Sequence, residues 1–211
     1  VSRERVVAFV DGFNLYHAIA RLNRPHLKWV DLRALFHRYI RPGSERLVGV
    51  YYFSAYAEWL PAARRRHREY VAALVTTGVI PVIGKFKTKN RWCPRCRQSS
   101  VGHEEKETDV NLALHLLDGG YRNTFDRALI VSRDSDLIPA VRMLRERFPE
   151  KQLTIVAPPL RGHSTEMLRW ATGKTKIRTE HLEQSLLPAK VRDSFGALVA
   201  TRPAEYEPPN Q

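Results

Sequence analysis

At 211 residues with 43% hydrophobic content, the chain has enough apolar material for one sizeable core. No apolar run is long enough to cross a bilayer, and two cysteines in one close pair exclude a disulfide framework. Lys and Arg outnumber Asp and Glu by 35 to 22, a net charge of +13 with a pI near 10.1, which favours a polyanionic partner, nucleic acid before a membrane surface.

Val6–Val10 reads as a first strand. It is too short for a secretory leader and is followed by an acid, so a reducing, cytoplasmic setting is expected. Apolar spacing predicts helices over Asn14–Leu22 and Asp31–Tyr39, and Leu47–Phe53 reads as a second strand. A helix is expected over Pro61–Thr77, with Pro at its start and Gly78 after its end. Val79–Ile83 reads as a third strand, and Pro81 inside it argues for an edge or irregular position. Thr108–Leu117 carries Val110, Ala113, Leu114 and Leu117 at helical spacing. Ala128–Val131 is a fourth strand, Ser135–Phe148 a helix and Leu153–Val156 a fifth strand; Ser164–Ala171 and Glu180–Leu186 read as helices.

Near-continuous apolar strands separated by helices indicate an α/β fold, a doubly wound parallel sheet with helices on both faces. We expect one domain over residues 1–187. Beyond it, Pro188, Pro203, Pro208 and Pro209 among scattered charges predict a poorly ordered tail over 188–211.

Sheets of this kind bind ligands beyond the carboxyl ends of their strands, where strand order reverses. Acids stand at those places. Asp11 ends the first strand, Asp134 and Asp136 follow the fourth, and Asp109 opens the helix before it. Each has an ordinary structural reading: Asp134, Ser135 or Asp136 as a helix cap, Asp109 as a partner of the helix dipole, Asp11-Gly12 as a turn. Gathered in one crevice, however, the four carboxylates would repel one another and take up protons on burial, unless a hard cation such as Mg²⁺ or Mn²⁺ neutralised them. Such an ion activates water and stabilises charge on a phosphoryl oxygen. With a net charge of +13, the phosphoryl group points to a nucleic-acid backbone. Asn14, Ser132 and Ser135 can hold the carboxylates or a bound water, or serve only as caps and turns.

The stretches VDGFNLYHAI (10–19), EKETDVNLALHLL (105–117) and IVSRDSDLIPAV (130–141) together resemble the three motifs of the NYN domain, a PIN-like nuclease fold, in its LabA-like bacterial branch. The resemblance runs over about residues 6–171. It implies a PIN-like α/β sandwich and metal-dependent ribonuclease activity on single-stranded or structured RNA. By motif position it makes Asp11, Asp109, Asp134 and Asp136 the acidic cluster and Asn14 its companion. Two positions depart from the family pattern. Arg133 stands where Gly is usual before the third-motif acid, within reach of either a phosphate or a carboxylate. His115 stands near a position where many relatives carry an acid; a lone helix His is more often structural.

The ribbon GKFKTKNRWCPRCRQ (84–98) alternates Lys85, Lys87, Lys89 and Arg91 with Phe86, Thr88, Asn90 and Trp92. If extended, it presents cations on one face for phosphates and aromatics on the other for stacking on bases. The plainer reading is a lysine-guarded edge strand. Arg64, Arg65, Arg66 and Arg68 add to the charge or form a solvated helix face. The Cys93–Cys96 pair does not open a helix after a strand, as a redox Cys-x-x-Cys would. With His103 it supplies three of the four ligands of a zinc site; a reduced, metal-free loop is the simpler reading. The leading expectation is therefore an Mg²⁺- or Mn²⁺-dependent ribonuclease. Its rivals are a nucleic-acid-binding module with a degenerate metal site and, more remotely, a phosphatase using the Asp-Ser-Asp run. The sequence leaves the oligomeric state open, a homodimer included.

Overall fold

The structure, a computed structural model, describes residues 3–209; the side chains of Arg91 and Cys93 lie outside the described residues. Its centre is β1, Glu4–Asp11, whose alternate residues face two separate cores. Val6, Ala8 and Val10 join one apolar cluster, while Val7 and Phe9 join the other. Burial on both faces explains why the strand reads as a continuous apolar run rather than an alternating one.

On the first face lie α1 (Gly12–Ala20), a 3-10 helix over Pro25–Trp29, α2 (Leu32–His37) and α3 (Pro61–Thr76). On the second lie α4 (Thr108–Tyr121), α5 (Ile138–Arg147) and α6 (Thr165–Leu168). A further short helix, α7, covers Thr179–Glu183. The strands are β2 (Glu45–Ala55), β3 (Ile80–Cys93), β4 (Gln98–Lys106), β5 (Arg127–Val131), β6 (Gln152–Ala157) and β7 (Gly173–Lys176). They form a seven-stranded sheet in the order β4-β3-β2-β1-β5-β6-β7, parallel except for β4. From β1 the chain steps outward to β4, then returns to the other side of β1 and steps out again to β7. Strand order therefore reverses between β1 and β5, which lie in register with Val10 opposite Val131. That places Asp11 beside Ser132 at the crevice where such folds bind ligands.

The expected doubly wound α/β fold is observed, with three local differences. β3 does not stop at Ile83 but runs on to Cys93 and turns back as β4, with Lys85 opposite Lys106 and Cys93 opposite Gln98. Pro81 lies where β3 is laddered to β2 alone, so its missing N–H costs nothing on the other side. The helix expected from Ser135 begins as a 3-10 turn, Ser135–Leu137, and becomes α-helical at Ile138.

The third difference corrects the expected tail. Residues after Pro188 are ordered: β8 (Lys190–Arg192) pairs with β9 (Leu198–Thr201), and a 3-10 turn covers Ala204–Tyr206. Val191, Ala200 and Tyr206 bury themselves against the first core, and the Trp29 indole donates to the Pro188 carbonyl at 2.9 Å. Three well-placed anchors suffice to dock the segment, although its mean composition is that of a loop.

Candidate active site

The crevice is organised by Asp11. Its carboxylate caps α1, accepting from the Asn14 backbone N–H at 3.0 Å, and also accepts from the Asn14 side-chain amide. The Ser132 hydroxyl donates to the same carboxylate at 2.9 Å. Ser132 in turn accepts from the Asp134 N–H at 3.1 Å, and Asp134 accepts from the Asp136 N–H at 2.9 Å. One bonded chain thus joins the ends of β1 and β5. The capping reading is observed for Asp11 and Asp134, whose cap bonds fix their carboxylates in place.

Asp11 is 3% exposed, and burial raises its carboxyl above the ordinary range; the Asn14 and Ser132 bonds oppose that rise, and Asp134 adds to it. Asp109, in the first turn of α4, is pushed up to about 7. Burial is the larger cause, followed by the charges of Asp11, Asp134, Glu105 and Asp136. Four sequence-predicted acids therefore share one field. Glu105, on β4, is a fifth that sequence reasoning missed; it accepts from the Thr108 N–H at 3.0 Å. Glu107, just before α4, is held at φ +79° and pairs with Lys85 at 2.5 Å.

Among the described residues, no three His, Cys, Asp or Glu side chains stand close enough to hold one ion as they lie. The donor set nevertheless suits a hard dication. It consists of carboxylate oxygens, and the Asp109 carboxyl is driven towards protonation by burial and then by its neighbours.

Arg133 and Ser135 are exposed. Arg133 forms no ion pair with the acids among the described residues; desolvation, and then the charges of Arg21 and Arg133, lower the pKa of the Arg161 guanidinium, so these three cations lie in one another's field. His115 hydrogen-bonds through Nδ1 to the Asn111 carbonyl at 2.8 Å and lies against Tyr51 and Phe53, which is the structural role expected of it.

On the β3–β4 hairpin, Lys85, Lys87 and Lys89 are exposed, with Lys89 3.8 Å from Glu104. Trp92 is exposed, and the side chain of Arg91 lies outside the described residues. Phe86 is not free for stacking: it packs edge-on against Phe13 at 5.7 Å and Trp59 at 4.7 Å. Of the expected zinc ligands, the Cys93 side chain lies outside the described residues. Cys96 is exposed, and His103 is stacked on Trp59 at 3.6 Å.

The NYN domain family model matches residues 5–174, most of the chain and all of the crevice. This chain belongs to the NYN domain family. NYN domains are PIN-like nucleases, a class that is generally dependent on divalent metal. This NYN domain is also 27% identical to the 6-hydroxy-3-succinoylpyridine 3-monooxygenase of Pseudomonas putida, over 88% of the chain and 69% of that protein. A solved structure of a Vibrio parahaemolyticus protein of unknown function superposes with a TM-score of 0.55 at 20% identity, covering 88% of this chain and 97% of that one, a likeness of fold. No helix among the described residues of the NYN domain is long and apolar enough to cross a membrane.

Proposed function

We propose that this NYN domain hydrolyses RNA phosphodiester bonds with Mg²⁺ or Mn²⁺ held by Asp11, Asp109, Asp134 and Asp136. The observation that carries the reading is the carboxyl of Asp109, raised to about 7 by burial and by the other acids of the crevice. Burial and clustered like charges both oppose the ionised form, and a bound cation would relieve both. When bound, the ion supplies Lewis-acid stabilisation and an acidified water. The chain's own residues do the rest. Asn14 and Ser132 aim the Asp11 carboxyl and favour its charged form, since their bonds oppose the effect of burial. Arg133, next to Asp134 in the chain, offers a guanidinium group to a phosphate flanking the scissile one, and Lys85, Lys87, Lys89 and Trp92 extend the track along the hairpin. Ser135 can hold a water at the mouth.

The test is incubation of labelled RNA with wild type and Asp134→Asn, with Mg²⁺, Mn²⁺ or EDTA. Metal-dependent cutting by wild type alone supports the proposal. Unchanged RNA binding without any metal-dependent cutting identifies a binding module, and equal cutting by both proteins identifies a contaminant.

A second reading rests on the named activity of the Pseudomonas relative. If this chain shares it, loss of the hydroxypyridine in the presence of oxygen and an added two-electron reductant is measurable, with no requirement for RNA.

A further inference from the structure

A cavity of about 220 Å³ lies on the face of the sheet covered by α1 and α3, whereas Asp109 comes from α4 on the opposite face. Six rings, Phe13, Tyr16, Tyr52, His67, Tyr70 and Tyr206, line the cavity beside aliphatic and small side chains. The Tyr52 ring stands perpendicular to both Tyr70 and His67, at 6.0 and 6.1 Å. Tyr206, supplied by the segment after β9, completes the enclosure. Sites for drug-sized ligands run to roughly 300–1,000 Å³. This one has room for a single ring system and excludes a dinucleotide.

Two features distinguish the cavity from an ordinary packing gap. The first is a polar pair on the aromatic wall: the Tyr52 hydroxyl lies 3.2 Å from His67 Nε2. Burial holds the His67 ring down to about 4, so it is neutral at pH 7 and can donate or accept according to tautomer. The second is charge. Lys28 and Arg66 both line the cavity. Arg66 pairs with Glu205 at 2.9 Å. The Lys28 ammonium lies over the rings of Tyr16 and Tyr206, at 4.7 and 5.7 Å, and donates to the Tyr16 hydroxyl at 3.3 Å. Among the described residues it meets no carboxylate. A ring-lined cavity with a hydrogen-bonding pair in its wall and an uncompensated cation on its lining is complementary to an aromatic ring bearing an anion.

We propose that this cavity binds a small planar aromatic anion, its ring among Tyr52, Tyr70 and Tyr206 and its carboxylate or phosphate at Lys28. The inference rests on neither activity reading. The same chemistry is presented by a free aromatic acid and by a nucleotide at the end of an RNA, and the experiment separates the two. Full-length protein in EDTA is titrated calorimetrically with benzoate and with uridine 5′-monophosphate, each against its uncharged counterpart, benzamide or uridine.

The expected result is saturable binding of at least one anion, with the neutral partner weaker by about tenfold or more. Lys28→Met and the cavity-filling Ala63→Trp should each weaken binding by a similar factor, while Lys28→Arg retains it. Preference for the nucleotide assigns the site to an RNA terminus; preference for benzoate assigns it to a free aromatic acid. The proposal is overturned if neither anion saturates, if the neutral partners bind equally, or if Lys28→Met binds as wild type does. It is also overturned if Asp134→Asn abolishes binding, because the ligand would then sit on the acid cluster. Should Ala63→Trp fail to fold, the comparison of Lys28→Met with Lys28→Arg decides alone.

Discussion

Replacing Asp109 with Asn should make the protein more stable at neutral pH and above, but not near pH 4. In the folded chain Asp109 keeps its proton up to about pH 7, whereas in the unfolded chain it releases it near 3.8. Below that lower value both states are protonated, and the neutral acid resembles Asn. As the pH rises, the unfolded state ionises first, and stability drains away until the folded carboxyl has ionised too. The full interval corresponds to about 4 kcal/mol at 1.36 kcal/mol per pKa unit. Asp109 is only part-buried, so solvent screening reduces this to about 2 kcal/mol. Urea unfolding in EDTA across pH 4–8, comparing wild type with Asp109→Asn, measures the difference directly. His67, whose depressed basicity costs stability towards acid, contributes equally to both proteins and cancels. The curves should coincide near pH 4 and separate by about 2 kcal/mol near pH 8, with the variant above. Parallel curves would refute the claim that the acids share a field. Millimolar Mg²⁺ should then restore wild type at pH 8 and leave the variant unmoved.

Three further outcomes follow from the same geometry. Ser132→Ala removes a bond that holds the Asp11 carboxyl down, so the acid limb of the RNA-cleavage profile should move to higher pH, read from rate against pH. Arg127→Met removes one of the two guanidinium partners of the buried Glu45 carboxylate, which Arg127 contacts at 2.7 Å and Arg41 also bonds, and should cost about 2 kcal/mol of unfolding free energy by urea titration. Lys87→Ala with Lys89→Ala should weaken RNA binding at low salt and lower the slope of log K against log salt by up to about 1.4 for a single strand; an unchanged slope would remove the hairpin from the RNA path.

The parallel sheet was legible because strands buried on both faces are uniformly apolar, and Asp11 and Asp134 were legible because an acid at the end of such a run is conspicuous. β4 was not. Its residues are polar or small on both faces, and only its partner β3 makes it a strand. Glu105 was hidden with it, as one acid in an alternating charged run whose direction is set by the hairpin register. Arg21 and Arg161 are far apart in sequence and enter one another's field only through the fold. The closing segment failed for a different reason. Composition averages over residues, whereas docking depends on a few, and Val191, Ala200 and Tyr206 are too sparse to form a period.

Glu45 and Arg127 are the first residues of β2 and β5, at the end of the sheet remote from Asp11. The two rims of one scaffold thus have opposite characters: a closed ionic clasp below, open like-charged strain above. Evolution can rewrite the upper rim residue by residue while the lower one keeps the strands in step. A knockout made at the crevice should therefore leave a sturdy, well-folded protein, and loss of turnover in it can be assigned to chemistry rather than to collapse.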